Sequence, residues 1–257
     1  MANTVYNNKV IEAKAKDLLL TAVNTRSLMT IDNSLTAEAG MVKTINVYTY
    51  DGEVEEVGVG EGNTGKGSIS YVGTDYTVKM NQQRFSYYDE DFMKDNTIVD
   101  NLMKGANQKM VNKMTADFIA ECGKATLAHN AADFGYEAVV DAIAKMNIED
   151  ESKLFIVIPN AWKAELRKDE DYKTAKMGEV IYNGMVGTVC GIPVIATNAL
   201  TNAAYIMTTE AIKCFMKNDV EVAQEREENE RENLVYLRSA YVVALVDATK
   251  ICKITKA

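Results

Sequence analysis

Seven of the fifteen glycines in this 257-residue chain, Gly52, Gly58, Gly60, Gly62, Gly65, Gly67 and Gly73, fall between positions 52 and 73. On either side the sequence alternates. Residues 41–50, Met-Val-Lys-Thr-Ile-Asn-Val-Tyr-Thr-Tyr, are rich in β-branched and aromatic side chains, and residues 68–85 alternate again through Ile69, Tyr71, Tyr76, Val78, Met80 and the pair Arg84-Phe85. Two such runs around a glycine-rich tip predict a long β-hairpin. Much of it is polar on both faces, and an isolated two-stranded hairpin is marginal in water. Such a segment is ordered only by contact with something else.

The acidity is uneven in the same way. The chain carries 28 Lys and Arg against 37 Asp and Glu, a net −9. Residues 51–91 hold nine acids and three bases, and residues 219–232 hold seven acids and two bases, so the rest is slightly basic. A basic nucleic-acid footprint is absent at the level of the whole chain. With 47% hydrophobic residues the composition is that of a globular protein. No apolar run approaches the roughly 20 residues of a membrane span, and the start lacks the basic and apolar regions of a signal peptide.

The longest helical pattern is 97–122, where Val99, Met103, Ala106, Met110, Met114 and Phe118 share one face. Asp95 or Asn96 is placed to cap it and Gly123 to end it. A shorter helix is read over 8–20, followed by a polar, arm-like stretch to Gly40. Tyr136, Val139, Val140, Ile143 and Met146 mark another helix. Leu-Phe-Ile-Val-Ile-Pro159 reads as a buried strand, with Asn160 capping a short helix that carries Trp162, the sole tryptophan. Residues 169–183 are polar. Residues 184–198 read as two short strands joined at Gly191, with further strands at 204–207, 236–246 and 251–254. The class is mixed α+β.

Catalytic and metal signals are sparse. Cys122, Cys190, Cys214 and Cys252 form no CxxC pair. His129 is the one histidine and reads as an exposed linker residue, which removes His-rich metal sites and most triads. Gly60-Glu-Gly-Asn-Thr-Gly-Lys66-Gly67-Ser68 nearly matches a phosphate-binding loop. It has Gly67 where a hydroxyl should follow the lysine, an acidic segment before it and a strand rather than a helix after it. Asp89-Glu90-Asp91 and Glu149-Asp150-Glu151 lack calcium-loop spacing and read as solvated charge flanking helices. No catalytic residue, cofactor site or metal site is assigned.

The order of parts is more informative. An arm, a long acidic hairpin and one long helix are followed by an α/β region holding Leu-Phe-Ile-Val-Ile-Pro159-Asn160-Ala-Trp162 and Gly187-Thr-Val-Cys-Gly191-Ile-Pro193-Val-Ile-Ala-Thr-Asn198. Then come an acidic segment and a C-terminal Leu237-Arg238-Ser-Ala-Tyr241 strand. This order, over essentially the whole chain, resembles the major capsid proteins of tailed bacteriophages, which have the HK97-type fold. The resemblance implies an N-terminal arm (1–40), an extended hairpin loop (41–90), a peripheral domain with its spine helix (91–129 and 216–236) and an axial domain (130–215 and 237–257). Both final strands would pack back into the axial domain.

The resemblance also implies a shell subunit that self-assembles into hexamers and pentamers of an icosahedral head around double-stranded DNA. Scaffolding protein, portal and decoration proteins would be partners, DNA contact would be non-specific, and no membrane would be involved. The protein would reside in the virion after assembly in the bacterial cytoplasm. Net negative charge would limit adhesion to the genome. Candidate inter-subunit residues are Glu55, Glu56, Glu61, Lys66, Lys79 and Arg84 on the loop, and Glu225, Arg226, Glu228, Arg231 and Asn233 on the acidic segment. Some relatives cross-link a loop lysine to a peripheral asparagine. Lys66 and Asn233 lie in the corresponding regions, but residues 234–246 hold no carboxylate to act as a base, so no cross-link is expected. There is no room for a scaffolding segment before the arm, and the initial Met points to a separate scaffolding protein. The alternatives are an encapsulin-type shell around a cargo enzyme, a nucleotide hydrolase built on residues 60–68, and a small α+β binding domain.

Overall fold

The computed structural model describes residues 25–37, 39–170 and 187–256. The helix expected over 8–20 and most of the polar stretch 169–183 lie outside the described residues. Twelve strands and four α-helices are described: β1 (Thr30–Asp32), β2 (Val42–Asp51), β3 (Ser68–Thr77), β4 (Lys79–Tyr88), α1 (Asp89–Lys94), α2 (Ile98–Cys122), β5 (Leu127–Ala131), α3 (Tyr136–Met146), β6 (Leu154–Pro159), α4 (Lys163–Lys168), β7 (Thr188–Val189), β8 (Ile192–Thr197), β9 (Ala203–Thr208), β10 (Ile212–Glu227), β11 (Glu232–Leu245) and β12 (Ile251–Lys256). They form a six-stranded sheet in the order β5-β12-β9-β6-β8-β7, a four-stranded sheet β1-β10-β11-β4, and a separate pair β2-β3.

The six-stranded sheet is built on β6, whose six residues are all buried. Successive side chains of a strand point to opposite faces. Leu154, Ile156 and Ile158 therefore join α3, Trp162 and Leu166 in one core. Phe155 and Val157 join Met114, Phe118 and Cys122 of α2 in another, together with Ile212, Cys214, Tyr241 and Val243 of the four-stranded sheet. α3 ends where Asn147 turns left-handed at φ 47°. β7 and β8 join through Cys190 and Gly191 at φ 52° and 79°, a two-residue turn with both φ positive that favours glycine at its second position.

α2 runs about 38 Å at 1.5 Å per residue. Its N-terminal half lays Met103, Ala106 and Val111 on Val220, Val222, Val235 and Leu237. Two details differ from expectation. Thr97, not Asp95 or Asn96, occupies the cap position, while the Asp95 carboxylate accepts from the Thr97 N–H at 2.9 Å and its hydroxyl at 2.7 Å. Gly123 keeps a helical φ of −61°, so no left-handed turn ends the helix. Pro159 likewise stands at the cap position before residues 160–162, and Asn160 lies inside that single 3-10 turn.

Gly105 sits mid-helix with open space where a Cβ would project. Glycine there costs roughly 1 kcal/mol of helix propensity relative to alanine. Gly105→Ala is expected to stabilise the soluble subunit by about that amount, read as a raised urea midpoint.

Four further features depart from the sequence reading. The alternating run 68–85 is two strands, broken at buried Val78. There the chain leaves β2, the Val78 N–H donates to the Met41 carbonyl at 2.7 Å, and β4 joins β11 instead. β11 pairs along its length in the four-stranded sheet, whereas β12 pairs with β5 and β9, so the two final strands part company. The described end of the arm is tied in, because β1 pairs parallel with β10 at Thr30↔Lys213 to Asp32↔Phe215. His129 lies on β5 opposite Ile254 rather than in an exposed linker, with Nε2 3.8 Å from Asp141. Backbone pairing to a distant strand overrides its local turn character.

Candidate assembly surface

Two groups of candidate residues emerge, one on the hairpin and one at the β10–β11 turn.

Among the described residues, the hairpin is anchored at its base. Directly opposed residues of an antiparallel pair share a face. Ile45 and Tyr76 lie on one face and pack with Val78, Phe215, Ala240 and Ala244. The Tyr76 hydroxyl donates to the Leu245 carbonyl at 3.4 Å, and the Lys124 ammonium lies 5.2 Å from the Tyr76 ring centroid. Lys124 also bonds Glu121 at 2.6 Å, whose other oxygen accepts from the Leu245 N–H. The hairpin root is thus clamped to the end of α2 and to β11. Burial of the Tyr76 ring, reinforced by the Glu121 carboxylate, pushes its hydroxyl pKa up, so it stays a donor.

Beyond that root the hairpin touches little. The Tyr48–Tyr71 pair is 67% and 68% exposed, and Tyr50, Ile69, Val47 and Val72 are exposed as well. The ladder stops at Asp51↔Ser68. The end of the Tyr50 side chain lies against Gly52 and Gly67, where a Cβ would come within 2.3 and 2.2 Å of it, so a larger residue at either position would displace this exposed ring. In the tip, Glu55 grips the Thr64 N–H, the Thr64 hydroxyl and the Gly65 N–H at 2.7–2.9 Å. Those bonds, the Thr64 amide first, hold its carboxyl pKa down. Glu56, Glu61 and Lys66 are exposed on the tip, and Lys79 and Arg84 are exposed on β4.

At the β10–β11 turn, Arg226 faces Asn233 across the ladder. Arg226 forks onto Asp89 at 2.8 and 3.3 Å, and Asn233 Nδ2 donates to Asp89 at 2.8 Å. Glu228 lies 2.8 Å from Arg226 Nε, and Arg231, at φ 53°, pairs with Glu90 at 2.7 Å. Glu225 instead accepts from the Tyr236 hydroxyl at 3.0 Å. The structure therefore joins Arg226, Glu228 and Asn233, and leaves the hairpin residues apart from them.

Asp89 is the member that sequence reasoning missed, having been read as solvated charge. Residues 226 and 233 are brought together by the pairing of β10 with β11, which the sequence reading had only as an acidic segment, and Asp89 arrives from 137 positions away. The Arg226 fork, then the Asn233 amide, lowers the Asp89 pKa. A carboxyl held low contributes stability above its unfolded pKa and loses it as the pH falls through its folded value. Asp89→Asn should cost about 1 kcal/mol at neutral pH, discounted because solvent reaches both partners. The gap in urea midpoint between variant and parent should narrow at about pH 3, below the ordinary carboxylate range.

Among the described residues no group of three or more His, Cys, Asp or Glu is placed to hold a metal ion, and no helix is long and apolar enough to cross a membrane. Burial drives the Cys122 pKa far up, leaving a protonated thiol.

A family described as "Phage capsid protein" matches residues 71–254. The major capsid protein of Staphylococcus phage phiMR11 is 27% identical over 150 residues, which cover 56% of this chain and about half (55%) of that relative's length. Among solved structures, one from Mycobacterium phage Che8 superposes with a TM-score of 0.70 at 13% identity, covering 87% of this chain and 88% of the other. The capsid of Cyanophage P-SCSP1u gives 0.72 at 11% identity over 90% and 86%, and a virus-like particle from Pyrococcus furiosus gives 0.68 at 12% identity over 97% and 100%.

Proposed function

The chain belongs to the phage capsid protein family, and from that premise we propose that it is the major shell protein of an icosahedral phage head. Its fold is the HK97-type α+β capsid fold. The observation that carries the reading is the hairpin. Twenty paired residues and a sixteen-residue tip project from a root where, among the described residues, Ile45 and Tyr76 pack with the body and Lys43 lies over the Phe215 ring. A lone chain gains little from ordering them, whereas a neighbouring copy that covers them supplies the missing burial. Head-to-tail contacts of this kind close into rings, consistent with hexamers and pentamers.

In this reading residues 1–40 are the arm, 41–90 the extended loop, 91–129 with 216–236 the peripheral domain, and 130–215 with 237–257 the axial domain. β4 and β11 share a sheet and lie under α2, which supports grouping them with the spine helix in this reading. The role is structural rather than catalytic. Scaffolding protein, portal and decoration proteins are partners, packaged double-stranded DNA is touched non-specifically, and assembly takes place in the host cytoplasm before the protein resides in the virion. A cargo-enclosing nanocompartment gains no support from the archaeal particle, whose match is no better than those of the phage structures.

Electron microscopy of the expressed chain, alone and with its scaffolding partner, tests the reading. Closed shells or capsomers support it, and a strictly monomeric protein under all conditions overturns it. Cross-linking through Lys66 and Asn233 is not expected. Asp89 does bring a carboxylate to Asn233, but with its pKa held down by Arg226 it is a poor proton acceptor. A denaturing gel of mature particles should show only the 28.4 kDa monomer.

A further inference from the structure

The legs of the hairpin tip, residues 52–58 and 61–67, carry no ladder beyond Asp51↔Ser68. Glu55 ties them at Thr64 and Gly65, and the Glu61 N–H reaches the Gly58 carbonyl at 3.1 Å. Val54 and Val59 stand fully exposed, at 102% and 108%. Backbone N–H and C=O groups are obligatory hydrogen-bonding groups, and the unladdered legs leave theirs to be met by another strand.

A strand open to such pairing is β4. Among the described residues it is the edge of the four-stranded sheet and pairs only with β11, without a register shift from Glu232↔Tyr88 to Tyr241↔Lys79. Edges of this length are usually blunted by proline, bulges or charge. β4 has no proline and no bulge, and its only charges are Lys79 and Arg84, which form no ion pair among the described residues. Those charges repel a basic strand and attract an acidic one. Residues 51–67 hold five acids and one base, and Glu53 and Glu56 have no partner among the described residues. The parity also agrees. Glu53 and Glu56 project to opposite faces of a strand, as do Lys79 and Arg84, and since the pairs are three and five residues apart one pair meets directly and the other diagonally. A chain's own tip stands ten ladder positions beyond its root, about 34 Å, and cannot fold back on its own β4.

We propose that residues 52–58 of one copy add as a fifth strand along the free edge of β4 in a neighbouring copy, with Glu53 and Glu56 meeting Lys79 and Arg84. The proposal rests on the shell reading above and adds the seat and the mode of docking.

Hydrogen exchange on the full chain, compared between soluble subunit and assembled particle, tests it. Amides of 52–58 and of the β4 edge should both slow by about 100-fold on assembly. Arg84→Glu should leave the circular dichroism of the subunit unchanged and cut particle yield about tenfold. Adding Glu53→Lys and Glu56→Lys to it should restore the yield. Particles that form while the amides of 52–58 exchange as fast as in the subunit overturn the strand addition and leave the shell reading standing. A parent chain that never assembles overturns both.

Discussion

Phe118→Ala should lower the unfolding free energy of the soluble subunit by about 3–5 kcal/mol, the largest loss expected from any single substitution considered. Phe118 is 1% exposed on α2 and packs in the one core that draws on both sheets. Phe155, Val157, Tyr205, Met207 and Ile251 come from the six-stranded sheet, and Ile212, Cys214, Met216, Tyr241 and Val243 from the four-stranded one. A rigid helix held between two sheets closes poorly over a cavity, which puts the cost at the upper end of the range for an aromatic truncation. Domains have only about 5–15 kcal/mol to lose, so the variant should accumulate as unfolded or aggregated chain. The urea midpoint of the soluble fraction measures the effect. Lys109→Ala, on the exposed face of the same helix, should shift it by less than about 0.5 kcal/mol.

The elements that were legible in the sequence are those whose burial follows a local period. The all-apolar run at 154–159 lies in the middle of a sheet, and the apolar stripe from Val99 to Phe118 is the buried face of α2. What stayed illegible depends on partners far away in the chain. The alternation of residues 68–85 changes phase between Tyr71 and Tyr76 and then runs on through Val78 to Met80, so nothing local marks Val78 as the point where the strand changes sheets. That change is imposed by β11, which lies some 160 positions downstream. His129 sits among small residues that read as a turn until β12 pairs with them. At the candidate surface, Arg226 and Asn233 read as members of one acidic segment, which the structure divides between the paired ends of β10 and β11, while Asp89 was invisible as their counter-charge. A carboxylate at a helix start has the same local signature whether it meets water or a guanidinium. The exposed Tyr48–Tyr71 rung shows the opposite case, since period-2 patterning records a face that this chain alone does not bury.

That unburied face supports the prediction with the largest effect on assembly. Replacing residues 47–72 with Asn-Gly should leave a folded subunit that forms no shells. Asn46 and Gly73 are directly paired, and Asn-Gly is the preferred two-residue connection for strands in that relation. The excision keeps Ile45, Tyr76 and Val78 in their core, and keeps the Tyr76–Leu245 bond and the Lys124 contact that clamp the root. It removes exposed Val47, Tyr48, Tyr50, Ile69, Tyr71 and Val72, none of which belongs to a core cluster of the subunit. The urea midpoint should therefore move by less than about 1 kcal/mol equivalent. Assembly should be abolished, because ring closure multiplies the lost contact over every copy around the axis. Light scattering and electron microscopy read the assembly, and circular dichroism reads the fold. Shells that formed normally from the excised chain would show that the hairpin is not where copies meet. A subunit that failed to fold would show instead that the exposed strands stabilise their own chain, contrary to the packing at the root.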